Sequence, residues 1–393
     1  MQRNAINGYR RLLAAVRQLS RLRERPVYDC GDGVFATVLP GGPTEYGQLR
    51  QELLAGGELL WERSAAGNLF CCFSSGQNGK EAYPVLGCFP SEHSLRVLYC
   101  QGGPMPERLG DAPTESAGVT LTQVCPDDTA ANFGMCYVFS LGQGHFLIYD
   151  GNGDAGNDHD RLWQCLCRDT PPGERPVVDA WILTHPHWDH VSGPVQFAKK
   201  YGGMTDVRCL LYNFPSLSVP IQYREIGSLA TARGLWLNEL HTHLPQAAVY
   251  KPHTGQRFTV GTASVEILYT HEDLYPHGPL AMNDCSMVTL VTVRGKKLFF
   301  PADLSCGKAC RMLAGRYGDY LKSDWYQAAH HGWDTEALAF YPFVNAPDVL
   351  WPLRKRDWER IQSFPATQVM VQEMTAQKRR FHIAWEDDIS VEL

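Results

Sequence analysis

Seven consecutive residues constrain this chain more than any other part of it: Thr184-His185-Pro186-His187-Trp188-Asp189-His190. An apolar strand pattern, VVDAWILT, runs directly into them. Two histidines at i and i+2 on extended chain project to the same side, so His185 and His187 can grip one ion through imidazole nitrogen. Asp189 and His190 follow a turn and can serve a second ion beside the first. Imidazole and carboxylate without thiolate suit zinc first, with manganese or iron as alternatives. A loop that is merely histidine-rich does not place four ligand-type residues within six positions.

Three further runs share this design. HFLIYD ends at Asp150 and is followed by a Gly-Asn-Gly turn; KKLFFPAD ends at Asp303; SDWYQAA runs into His330 and His331. Polar groups just past the ends of buried strands are how α/β proteins place their sites. Five of the 14 histidines therefore fall at two strand ends. Two ions about 3.5–4 Å apart can hold a hydroxide between them and lower its pKa toward about 7.

At this point the chain resembles the metallo-β-lactamase superfamily, whose signature is His185-x-His187-x-Asp189-His190. The resemblance covers roughly residues 119–353. It implies a fold, an αββα sandwich of two packed mixed sheets with the metals at one edge, where periodicity alone gives α/β. Asp150 looks like the family's aspartate supporting the metal loop, Asp303 like its metal-bridging aspartate, and Ala329-His330-His331-Gly332 like its final histidine motif. Asn283-Asp284-Cys285-Ser286 followed by VTLV and RGKKLFFPAD is similar to the branch of competence proteins and phosphoesterases. The family's third histidine on the first metal is missing; Asn283, Asp284 or His271 stands in its place. The resemblance implies metal ligands His185, His187, Asp189, His190, Asp303 and His330. His330 is favoured over His331 because it follows the strand directly, which leaves His331, with Asp189, as catalytic and facing the substrate. His241, His243, His253 and His277 read as surface or structural.

The implied activity is that of a hydrolase with two divalent ions and a metal-held hydroxide, directed at a phosphate ester or phosphodiester. Lactam, lactone or thioester hydrolysis is the alternative, and a non-catalytic metal scaffold a second one. The expected substrate is a small or nucleotide-type phosphate. A net charge of −6 does not advertise nucleic-acid binding. G-x-S-x-G and Walker patterns are missing, which argues against serine hydrolases and P-loop NTPases.

Length and texture divide the chain. Residues 1–115 read as a smaller α+β domain without a catalytic cluster, and residues 116–393 as the catalytic domain. The Gly- and Pro-rich stretch 101–118 reads as a linker. The basic start reads as an amphipathic helix ending before Pro26. Thirteen scattered cysteines read as reduced thiols, and no run is long and apolar enough to span a membrane, so the expected location is the cytoplasm.

Overall fold

The computed structural model describes residues 25–74, 82–115, 118–127, 134–276, 278–385 and 387–393. The expected amphipathic N-terminal helix and His277 lie outside these residues. Twenty-one strands build three sheets among the described residues.

The first sheet is antiparallel: β1 (Tyr28–Gly31), β2 (Val34–Pro40), β3 (Leu59–Ala65), β4 (Asn68–Phe73), β5 (Ala82–Phe89) and β6 (Ser94–Gln101), in the order β1-β2-β6-β5-β4-β3. One face carries helix α1 (Pro43–Gly56), whose Tyr46, Leu49 and Leu53 pack on Phe35, Leu86 and Val97. The opposite face, with Val34, Phe70, Tyr83, Val85 and Cys100, packs on the rest of the molecule. This alternation is the two-residue period of a strand.

The second sheet holds β7 (Thr120–Gln123), β8 (Cys136–Ser140), β9 (His145–Asp150), β10 (Val177–Ile182), β11 (Asp206–Val207), β12 (Cys209–Leu211), β13 (Ala248–Tyr250) and the returning β21 (Ile389–Glu392). The third holds β14 (Arg257–Val260), β15 (Ala263–Tyr269), β16 (Val288–Val293), β17 (Lys296–Phe300), β18 (Trp325–Gln327), β19 (Asp348–Trp351) and β20 (Arg380–Ile383). Both sheets mix parallel and antiparallel pairs.

Alternate residues of these strands face opposite ways. Tyr137, Phe139, Tyr149 and Ile182 meet Val265, Val291, Leu298 and Phe300 in a core between the two sheets. Val138, Ile148 and Trp181 point outward, against Leu162 and Leu166 of α2 (Asp158–Arg168) and Val191, Val195 and Phe197 of α3 (Trp188–Tyr201). On the far side Phe299, Tyr326 and Val349 meet Leu313 of a helix at Gly307–Tyr317 and Met370 of one at Pro365–Ala376. The layers are therefore αββα, with the first sheet packed beside them.

Two expectations need correction. The stretch read as a linker is built into the sandwich: Met105, Leu109 and Ala112 are buried in the core between its sheets. Gly110 takes a left-handed φ of 65°, and a Cβ there would lie 2.0 Å from the Asp179 carboxylate. The helix expected at Pro194–Lys200 instead starts at Trp188, so Asp189 and His190 occupy its first turn. Pro194 sits inside it and donates no hydrogen bond, while the Gly193 N–H turns to the Asn152 carbonyl at 3.2 Å. No described helix is long and apolar enough to cross a membrane.

Candidate metal centre

Each ligand-type residue lies where a strand stops. β9 ends at Asp150, β10 three residues before His185, β17 three before Asp303 and β18 three before His330. The chain then turns sharply: Asp150, Asn152, Ala302, His330 and His331 all have φ between 46° and 62°. For residues with a Cβ this left-handed conformation costs about 1–2 kcal/mol each. Such strain gathers where surrounding structure holds side chains to a purpose.

The side chains converge on one carboxylate. Asp303 Oδ2 lies 3.2 Å from His190 Nε2, 3.3 Å from His331 Nε2 and 3.8 Å from His185 Nε2. Asp189 Oδ2 is 3.6 Å from His331 Nε2 and 3.9 Å from His190 Nε2. His185 Nε2 and His187 Nδ1 are 3.0 Å apart. Two groups of donors result, one of His185, His187 and Asp303, the other of Asp189, His190, Asp303 and His331, sharing Asp303. His185, His190, Asp303 and His331 are buried.

The adjacent histidines are exchanged relative to the sequence expectation. His331, expected to face substrate, is 2% exposed and reaches both carboxylates. His330, expected to be the ligand, is turned aside: its Nδ1 meets the Asp334 carboxylate and its Nε2 faces the Asn283 amide nitrogen at 3.0 Å. Two consecutive left-handed residues throw the two rings to different sides, which their place after a strand cannot foretell.

Of the stand-ins for the missing histidine, His271 is buried with Nε2 on Asn213 Oδ1 at 3.2 Å. Asp284 accepts the Ala281 N–H at 3.2 Å, and burial lifts its pKa to about 6. Neither belongs to the two donor groups. Asn283 stands beside His330. Of the weaker histidines, His241 meets the Tyr212 hydroxyl, His243 lies near Glu239, and His253 is fully buried.

A second layer orients the first. Asp150 accepts the Thr184 N–H and the Thr184 hydroxyl, each at 2.7 Å, and its Oδ2 faces His190 Nδ1 at 2.7 Å. This carboxylate fixes the ring so that Nε2 faces Asp303, the arrangement usual behind metal-ligating histidines. Thr184→Val removes one donor from Asp150 and keeps the other. It should weaken metal binding about tenfold, read by competition with a chromogenic chelator; unchanged affinity would show that Asp150 needs no such support.

Electrostatics separates the two donor groups. Burial holds His185 well below its ordinary pKa, helped by His190, and burial lowers His187 as well. Both therefore offer lone pairs. Burial opposes the charge of His190 and His331, but the carboxylates prevail: Asp303, Asp150 and Asp189 raise His190 well above its usual value, and Asp303 with Asp189 brings His331 to about 9. Asp303 and Asp189 are correspondingly lowered against burial by these histidines. A cation entering the second group must displace protons, so its uptake is linked to proton release.

The donor set fits a pair of divalent ions. Six imidazole or carboxylate residues form two sharing clusters, and Asp303 Oδ1 is a buried oxygen with no hydrogen-bond partner, an arrangement that is costly unless a cation satisfies it. Sequence reasoning missed the Thr184 hydroxyl and Asp334. Asp334 stood four residues after His330, a spacing that a search for carboxylate partners would have caught.

No protein-family model and no curated protein matches the sequence. Solved structures that the chain resembles include the metallo-β-lactamase fold protein YhfI from Bacillus subtilis, 16% identical with a TM-score of 0.43, covering 70% of this chain and all of that one. Another is CmlA, a diiron β-hydroxylase from Streptomyces venezuelae, 13% identical with a TM-score of 0.40 and covering 77% of this chain. The chain spans 56% of the hydroxylase's length. Likeness at this level brings no residue-by-residue correspondence, so the site stands on its own geometry.

Proposed function

We propose that this chain is a metal-dependent hydrolase of phosphate esters or phosphodiesters, acting on a small or nucleotide-type phosphate. The observation that carries the reading is Asp303: one carboxylate oxygen within 3.8 Å of three histidines from two separate segments, the other buried without a partner. A scaffold has no use for that convergence. The phosphate preference rests on the AHHG and NDCS runs.

His185 and His187 would hold one ion, Asp189, His190 and His331 the other, with Asp303 between them. When bound, two such ions supply a water of lowered pKa and positive charge for the attacked oxygen. The chain's own residues prepare the place. Asp150 and Thr184 lock the His190 ring. Asp189 sits in the first turn of α3, where a carboxylate also favours the helix N-terminus. Burial of the His185 ring keeps bulk water from one wall. His331 is a holding residue here rather than a proton donor, because its Nε2 faces Asp189 and Asp303. Both ring nitrogens of His330 are engaged, by Asp334 and Asn283.

Trp188, 40% exposed beside His187, offers an apolar wall and favours the second reading, a lactone or lactam hydrolase. A substrate panel separates the two. Metal-reconstituted protein should turn over a chromogenic phosphodiester or phosphomonoester faster than a lactone or a cephalosporin, and a chelator should stop it. Faster lactone turnover would replace the phosphate reading, and turnover insensitive to chelation would remove the metal mechanism.

A further inference from the structure

We propose that the side-chain oxygen of Asn283 is the third protein donor to the His185–His187 ion, held in place by an Asp334–His330 clamp. The inference rests on the two-metal reading above and concerns how the first position is completed.

The Asp334 carboxylate only accepts, so His330 Nδ1 carries the hydrogen that meets it. With Nδ1 so engaged, Nε2 is the ring nitrogen that faces Asn283. The Asn283 amide presents its nitrogen to that atom at 3.0 Å. That contact fixes the amide plane and sends Oδ1 the other way. Oδ1 is buried and has no hydrogen-bond partner. Buried amide oxygens are nearly always satisfied, and this one is prevented from rotating to find a partner.

The surroundings supply the missing partner's identity. The segment carrying Asn283 is pinned to the metal centre. Met287 N–H bonds the Thr184 carbonyl at 3.0 Å, one residue before His185, and Asp303 N–H bonds Ser286 Oγ at 3.2 Å. Asn283 is thus four residues from a contact with the metal loop and three from one with the shared aspartate. Asp303 Oδ1 is likewise buried and unpartnered. Two stranded acceptor oxygens on segments tied to one centre, beside two imidazoles, call for a cation. His271 and Asp284, the other stand-ins, are committed to Asn213 and Ala281. The left-handed backbone at His330 and His331 also gains a purpose: it gives His331 to one ion and His330 to the residue serving the other.

An amide oxygen is a harder donor than imidazole, so this position should favour manganese or iron(II) relative to zinc more than a three-histidine site does. Asp334 and His330 are positioning residues, and outer partners of this kind are worth about 10–100-fold in affinity.

The test is metal binding by the full chain, read by equilibrium dialysis with manganese and by the visible spectrum of the cobalt(II)-loaded protein. Wild type should take up two ions. Asn283→Ala should weaken one of them at least about tenfold, with a changed cobalt spectrum, and leave the other near its wild-type affinity. Asn283→Asp, which keeps an oxygen in place, should restore it. Asp334→Ala should weaken the same ion and not the other; this variant and Asn283→Asp report even if Asn283→Ala does not fold. Two ions bound by Asn283→Ala with wild-type affinity and spectrum would overturn the proposal, and a fall in activity alone would then place Asn283 against substrate. Wild-type protein that binds no ion would overturn the two-metal reading itself.

Discussion

Asp303→Ala will lower turnover by about 10²–10³-fold, the scale on which removing one dedicated charge-stabilising group acts. Asp303 is the one residue common to both donor groups. Without it neither half of the site retains a carboxylate shared with the other, and a pair of ions cannot be kept together. The fold should survive better than the activity, because the aspartate stands beyond the end of β17 rather than in the core between the sheets. His190 and His331 keep Asp150 and Asp189 as partners. Once the largest charge that raises their pKa is gone, they can shed protons instead of standing as bare buried cations. The measurements are steady-state rates after metal reconstitution, metal content, and a thermal melt. Activity above about a tenth of wild type in a folded, metal-loaded variant would take Asp303 out of the reaction.

What could be read from the sequence follows physical lines. The strand-end ligands were legible because an apolar run and a donor residue are both local, and a strand end needs nothing more. The αββα layering came with the resemblance and is visible in the alternation of Tyr137, Val138 and Phe139 between two cores. The exchange of His330 and His331 was not legible, because the sign of φ at a non-glycine residue is imposed by the packing around it. β5 goes against local propensity: proline is unusual inside a sheet, yet Pro84 lies opposite Tyr99 in the middle of the first sheet. The linker reading failed because Gly and Pro mark irregular backbone, which does not stop Met105 and Leu109 from being buried.

Glu272→Ala should cost about 3–5 kcal/mol of stability at pH 6, the range for stripping one partner from a buried ion pair. His253, read from sequence as surface or structural, is fully buried where the first sheet meets the sandwich. Its Nδ1 lies 2.7 Å from Glu272 Oε2, and its Nε2 lies 3.1 Å from the Tyr83 hydroxyl and 3.2 Å from Cys100 Sγ. Burial opposes its charge, but Cys100 and Glu272 outweigh burial and raise its pKa to about 10. Glu272 is depressed in turn, against burial, chiefly by His253. The signs set the pH window. A histidine whose pKa rises on folding contributes fully below its unfolded value of about 6.5 and loses that contribution as pH climbs through about 10. The depressed glutamate contributes above about pH 4.3 and loses its share only as pH falls toward the depressed value. The gap between wild type and Glu272→Ala should therefore be widest near pH 5–6 and shrink on the alkaline side. His331 is raised in the same direction, but it is present in both proteins and drops out of the difference. Urea unfolding of both proteins at pH 6 and pH 10 measures it. A gap that stays constant between those pH values would mean that Glu272 acts by packing and hydrogen bonding alone, with His253 uncharged.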